Sequence, residues 1–172
     1  SIAIPDVGRF RANYYITMED IACAFRIVPV SIPSLDDLNA KQIFKSSIKR
    51  EKGLILVTGP TGSGKSTTLA SIIAFILQLK ALNCITIEDP IEYDIPDGKG
   101  NIIEREVGTT TLSFEKALRA AMRQRPDIIL VGEVRDPETS LAVIQAAKTG
   151  HLVFTTIHTM MATQVPSRIA SM

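Results

Sequence analysis

Residues 59–67 read GPTGSGKST, a run that satisfies the spacing G-x-x-x-x-G-K-[ST]. Glycines at 59, 62 and 64 let the backbone curl until successive N–H groups face one point. An anion placed there also meets the positive end of a following helix. Pro60, Thr61 and Ser63 complete the loop. Lys65 has the reach and charge to engage the β- and γ-phosphates of a nucleotide, and the Ser66 hydroxyl, with Thr67 next to it, suits Mg2+. The implied chemistry is binding of a nucleoside triphosphate together with Mg2+, a P-loop by itself leaving the class of NTPase open.

Acidic positions narrow the reaction. The stretch DIILVGEVRD sets four apolar residues, Ile128 to Val131, before Gly132 and Glu133. The acid expected at such a strand end arrives one position late. Glutamate is longer than aspartate by a methylene and can hold Mg2+ through a water while the glycine keeps the backbone close. Upstream, ITIEDPIEY places Glu88, Asp89 and Glu92 near the carboxyl end of a second strand, the end at which open α/β sheets bind ligands. Phosphoryl transfer depends on positioning more than on basicity, so a carboxylate of ordinary pKa, about 4.3, is adequate to orient water. Spacing does not choose among these three acids.

Both histidines of the chain, His151 and His158, bound one apolar run, HLVFTTIH. A zinc site would need a third ligand, and no third histidine or cysteine cluster exists to supply one. The pair is open to two readings: unrelated core histidines, or hydrogen-bond donors beside a polyphosphate that could sense whether the γ-phosphate is present.

These residues need a scaffold that brings strand ends together. Apolar runs at GLILVT, NCITIE, DIILVG and HLVFTTI alternate with the helical stretches KSTTLASIIAFILQLK, SFEKALRAAMRQ and PETSLAVIQAAKT. NIIEREV is a further strand, and Ser34 with Asp37 opens another helix through LDDLNAKQIFKSSIKR as a capping box. Continuous apolar strands between helices predict a mostly parallel sheet covered on both faces. Asp136 before Pro137 predicts a capped helix start, and Gly150 its end. Near the beginning, SIAIPDVGRFRANYY and IACAFRIVP alternate as half-buried strands joined by a turn at ITMED. They read as the end of a separate domain over residues 1–29, with a proline-marked linker at 30–35 and the main domain at 36–172.

The 172 residues carry 45% hydrophobic and 22% charged side chains, enough for one full core. With 19 basic against 18 acidic residues, the net charge of +1 excludes a broad field for nucleic acid or anionic lipid. The basic cluster RAAMRQRP has no interleaved aromatic residues of the kind that stack on single strands. Cys23 and Cys84 lie far apart without a C-x-x-C, so no disulfide framework or zinc cage is indicated. The longest apolar stretch is about half a membrane span, and no signal peptide heads the chain. A cytosolic location is the expectation.

In order along the chain, GPTGSGKST, ITIEDPIE, ALRAAMRQRPDIILVGEVRD and AAKTGHLVFTTIHT resemble the Walker A, Asp box, Walker B and His box of the ATPases of type II secretion and type IV pili. Within that superfamily, REVGTTTLSFEKALRAAMRQRPD is more similar to the type IV pilus retraction ATPases, the motors of twitching motility, than to the assembly motors. The resemblance implies a RecA-like core preceded by the end of a PAS-like domain. It makes Glu92 the catalytic glutamate, Glu133 the Walker B acid, and His151 and His158 contacts to the γ-phosphate region. It also maps GRFRAN and AFRIVP onto strands whose arginines, Arg11 and Arg26 with Arg9 as a weaker candidate, lean over the nucleotide of a hexameric ring and complete a neighbouring subunit's site. A homo-hexamer, a pilus platform protein in the inner membrane as partner, peripheral membrane association through that partner only, and a place in the cytoplasm at the base of the pilus follow as implications. The rival readings are a pilus-assembly or type II secretion ATPase, a RecA-like nucleic-acid translocase, and a regulatory subunit that binds ATP without turnover; Glu92 and Glu133 weigh against the last.

Overall fold

The computed structural model describes residues 2–5, 7–29, 31–40, 44 and 49–172. Strands β1 (Ile2–Ile4), β2 (Gly8–Ile16) and β3 (Ile21–Val28) form an antiparallel sheet in that order. The first run, expected as one strand, is therefore two. Pro5 has no N–H for a ladder, Gly8 sits at a φ of 138°, and Val7 donates its N–H to the Ile4 carbonyl at 3.1 Å, closing a turn. The turn expected at ITMED is present: the Thr17 hydroxyl donates to the Asp20 carbonyl at 2.7 Å and accepts from the Asp20 N–H at 3.0 Å.

The second sheet holds β4 (Gly53–Thr58), β5 (Asn83–Glu88), β6 (Asn101–Glu106), β7 (Ile128–Val131) and β8 (Leu152–Ile157) in the order β4-β8-β7-β5-β6, every neighbouring pair parallel. Helices α1 (Lys65–Leu79), α2 (Phe114–Ala121) and α3 (Pro137–Lys148) connect the strands, and α4 (Val165–Ala170) follows β8. Alternation along each strand sends Cys84, Ile128, Leu130, Leu152 and Phe154 to the α1 side. It sends Ile85, Ile87, Ile129, Val131 and Val153 to the side of α2 and α3. Both faces are thus apolar, which is why these strands read as unbroken hydrophobic runs. Burying one such Ile or Phe contributes roughly 1.5–3 kcal/mol.

Asp136 caps α3 as expected, accepting the Thr139 N–H at 2.7 Å, with Pro137 in the first turn. Ser34 and Asp37 make the reciprocal bonds of a capping box: the Asp37 N–H reaches Ser34 Oγ at 3.2 Å, and the Ser34 N–H reaches Asp37 Oδ2 at 2.9 Å. The helix expected from there does not start as read: residues 35–39 form a turn that ends with Asn39 at a φ of 51°, Phe44 is helical, and 41–43 and 45–48 lie outside the described residues. The linker is tied down at its end, where Ser71 Oγ of α1 donates to the Pro33 carbonyl at 2.7 Å.

Candidate nucleotide site

The loop between β4 and α1 takes its shape from its own residues. Gly59 has a φ of 152°, and a Cβ there would stand 2.6 Å from Ser63 Oγ. Ser63 in turn donates its hydroxyl to the Pro60 carbonyl at 2.8 Å. Lys65, only 9% exposed, donates from Nζ to the carbonyls of Gly59 at 3.1 Å and Pro60 at 2.9 Å. The helix starts at Gly64 in the left-handed region with no side chain capping it. Its first N–H groups, unsatisfied within any helix, keep their hydrogen-bonding capacity for an anion.

A cavity of about 460 Å3 opens over this helix start. Its wall takes Thr61, Gly62, Gly64, Lys65, Ser66 and Thr67 from the loop, Glu88, Asp89, Pro90 and Glu92 from the end of β5, Glu133 and Arg135 from the end of β7, and Thr156 and His158 from the end of β8. Arg11 and Arg26 line it from the antiparallel sheet. Gly59, Pro60 and Ser63 are not on the wall; they brace the loop from behind. Parallel strands deliver these residues to one edge because all their carboxyl ends point the same way.

Glu133, 9% exposed, is ion-paired through Oε1 with Arg135 Nη2, while His158 Nε2 lies 3.6 Å from its Oε2. Two hydrogen bonds hold this corner. Thr156 Oγ1 donates to the Gly132 carbonyl at 2.6 Å, and the Val134 N–H donates to the Thr156 carbonyl at 3.1 Å. At Gly132 an added Cβ would come to 3.4 Å from Glu88 Cα and Cγ, so the turn runs alongside that acid. Glu88 Oε1 is buried and has no hydrogen-bond partner. Burial pushes its carboxyl up to about 7, with the charges of Glu104 and Glu92 adding to the rise.

The two histidines separate. His158 stands on the cavity wall, but His151 precedes β8, seven residues earlier. A strand rises about 3.3 Å per residue, so the two are roughly 23 Å apart and cannot serve one phosphate of the same site. His151 Nδ1 lies 3.1 Å from the Ala146 carbonyl and 3.3 Å from Thr149 Oγ1, at the carboxyl end of α3. The expectation of a paired sensor is corrected to His158 alone on this cavity. Arg11 and Arg26, both exposed, line the same cavity as this chain's own phosphate loop. Arg9 is not on the cavity wall. Sequence reasoning missed Arg135, whose signal was its place two residues after Glu133 in extended chain, where side chains share a face. It also missed Tyr93, which lies 2.8 Å from Thr67 Oγ1 through its hydroxyl.

A parallel sheet whose edge strand runs through a glycine loop into a helix defines a P-loop nucleotide-binding fold. Residues 27–172 match the family described as Type II/IV secretion system protein, and the chain belongs to that family. It is 48% identical over 169 residues to a twitching motility protein of Neisseria gonorrhoeae, covering 98% of this chain and 45% of that one. It is 44% identical to the type IV pilus retraction ATPase PilT of Pseudomonas aeruginosa, covering 98% and 49%. The crystal structure of the pilus retraction motor PilT with bound ADP superposes with a TM-score of 0.92 at 49% identity, over 99% of this chain and 50% of that one. The chain therefore spans about half the length of the curated relatives it matches.

Proposed function

We propose that this chain is the ATP-hydrolysing core of a type IV pilus retraction motor that works as a homo-hexamer. The observation that carries the reading is the convergence of Lys65, Ser66, Glu92, Glu133, His158, Arg11 and Arg26 on one cavity over an uncapped helix start. The names of the two relatives and of the superposed motor support the retraction assignment. The division into an end of a PAS-like domain (1–29), a linker (30–35) and a RecA-like core (36–172) follows the two sheets.

The residues present fit ATP and Mg2+. Unsatisfied N–H groups at Gly64 and after it suit phosphate oxygens, and the Ser66 hydroxyl with Glu133 offers the one or two protein oxygens that Mg2+ takes when it binds with a nucleotide. Mg2+ held by Ser66 and Glu133 would neutralise phosphate charge. Lys65 exchanges its loop carbonyls for the phosphates. Glu92, exposed on the opposite wall, orients the attacking water. His158, beside Glu133, donates toward the γ-phosphate region and links its occupancy to the metal-side acid. Arg11 and Arg26 are direct partners across β2 and β3. Like charges so placed repel, and an anion between the two guanidinium groups removes that cost, so transferring phosphate is what this pair is built to stabilise.

Among the described residues no helix is long and apolar enough to cross a membrane. Association with the cytoplasmic face of the inner membrane at the pilus base, through a platform protein, belongs to the same proposal. The test is a strain carrying Lys65→Ala. Purified protein should lose ATP turnover with its fold intact, because Lys65 bonds only to the loop, and the cells should remain piliated yet fail to twitch. Undiminished hydrolysis removes the P-loop from the mechanism, and cells without pili would assign the motor to assembly instead.

A further inference from the structure

Glu92 stands on the segment between β5 and β6, which has no helix or strand of its own over residues 89–100. Such loops ordinarily hold side chains loosely. This one is fastened on both sides of Glu92. Ile91 donates its N–H to Glu106 Oε2 at 3.2 Å. Tyr93, only 8% exposed and part of the α1-side core, brings its hydroxyl to 2.8 Å from Thr67 Oγ1. Thr67 directly follows Ser66, and its carbonyl accepts from Ser71 Oγ at 2.8 Å, so the phenol is referenced to the first turn of α1. Two residues further on, the Ile95 N–H donates to Glu104 Oε1 at 3.1 Å.

We infer that Tyr93 is a positioning residue for Glu92: its hydroxyl bond to Thr67, with the Glu106 bond to Ile91 as second fastening, sets the distance between Glu92 and the P-loop. The inference rests on the reading of Glu92 as the water-orienting acid. Glu92, next to the buried Tyr93, is exposed on the cavity wall, so where Tyr93 is held bears directly on where Glu92 stands. A carboxylate that aims a water must be held within about 0.5 Å, and a displacement of about 1 Å costs up to about 100-fold in rate.

Tyr93→Phe removes one oxygen and leaves the ring packed. In the full-length protein, kcat for ATP should fall roughly 10–100-fold while ADP affinity, read by fluorescence titration, stays within about twofold. Glu106→Ala should show the same split. In a Glu92→Gln background, where turnover no longer passes through the carboxylate, Tyr93→Phe should cause no further fall in single-turnover rate. A wild-type kcat in Tyr93→Phe, weakened ADP binding with kcat intact, or an equal fall in both backgrounds overturns the positioning role. Wild-type hydrolysis by Glu92→Gln alone overturns the assignment of Glu92 instead, so the two failures are distinct.

Discussion

Glu88 lies behind Ser66 and against Gly132 with one oxygen buried and unpartnered. A carboxyl whose pKa is higher folded than unfolded binds more protons in the native state, so stability falls as pH rises between the two values. For Glu88 that window runs from the ordinary 4.5 to about 7, and the loss across it is roughly 3 kcal/mol. Glu88→Gln should remove this slope, leaving a nucleotide-free protein more stable than the parent at pH 8 and little different at pH 4.5. Urea midpoints at the two pH values check it, and a variant less stable at pH 8 would show that the ionised group has a partner. The motif spacing made Lys65, Ser66 and Glu133 legible because strand ends fix where such residues go. Tyr93 was not legible: a tyrosine in a loop carries no periodic signal, and its partner is 26 positions away.

At the scale of elements, β4 and β5 match the sequence reading residue for residue, since a strand buried on both faces is an apolar run with sharp ends. The boundary inside the first strand was missed although Pro5 and Gly8 signal it, because alternation continues across the turn. The β5–β6 loop shows what spacing cannot reveal. Its far end wraps the carboxyl end of α1, where the Lys99 N–H donates to the Leu77 carbonyl at 2.8 Å and the Asn101 N–H to the Leu82 carbonyl at 2.9 Å. A Cβ at Gly100 would meet the Leu82 carbonyl oxygen at 2.2 Å and its nitrogen at 2.7 Å, both backbone. Gly100→Ala should therefore cost about 1–3 kcal/mol, seen as a lowered thermal midpoint. A midpoint equal to the parent's would mean that the loop end can lift off the helix freely.

For the whole molecule, the placement of Arg11 and Arg26 on this chain's own cavity sets a site built within one chain against the expected site completed by a neighbour. If arginines and P-loop of one chain serve one phosphate, mixing Lys65→Ala chains with Arg26→Ala chains yields rings in which every site is defective. ATP turnover of the mixture should stay at the level of the separate variants, whereas recovery toward one quarter or more of parental activity would return the arginines to the neighbouring subunit. The α/β architecture was legible from alternation of strands and helices. The separation of His151 from His158 was legible too, from strand rise alone, but the pairing of motif histidines obscured it.

The sheet that carries the site also places Cys84 on β5, fully buried on the α1 side, with burial pushing its thiol far above the ordinary range. Cys23, in the antiparallel sheet, is half-buried. Oxidants and electrophiles act on thiolates that they can reach. The one thiol of the nucleotide-facing half is thus redox-silent for as long as the chain stays folded, and any oxidative damage to this chain's thiols has to enter through Cys23.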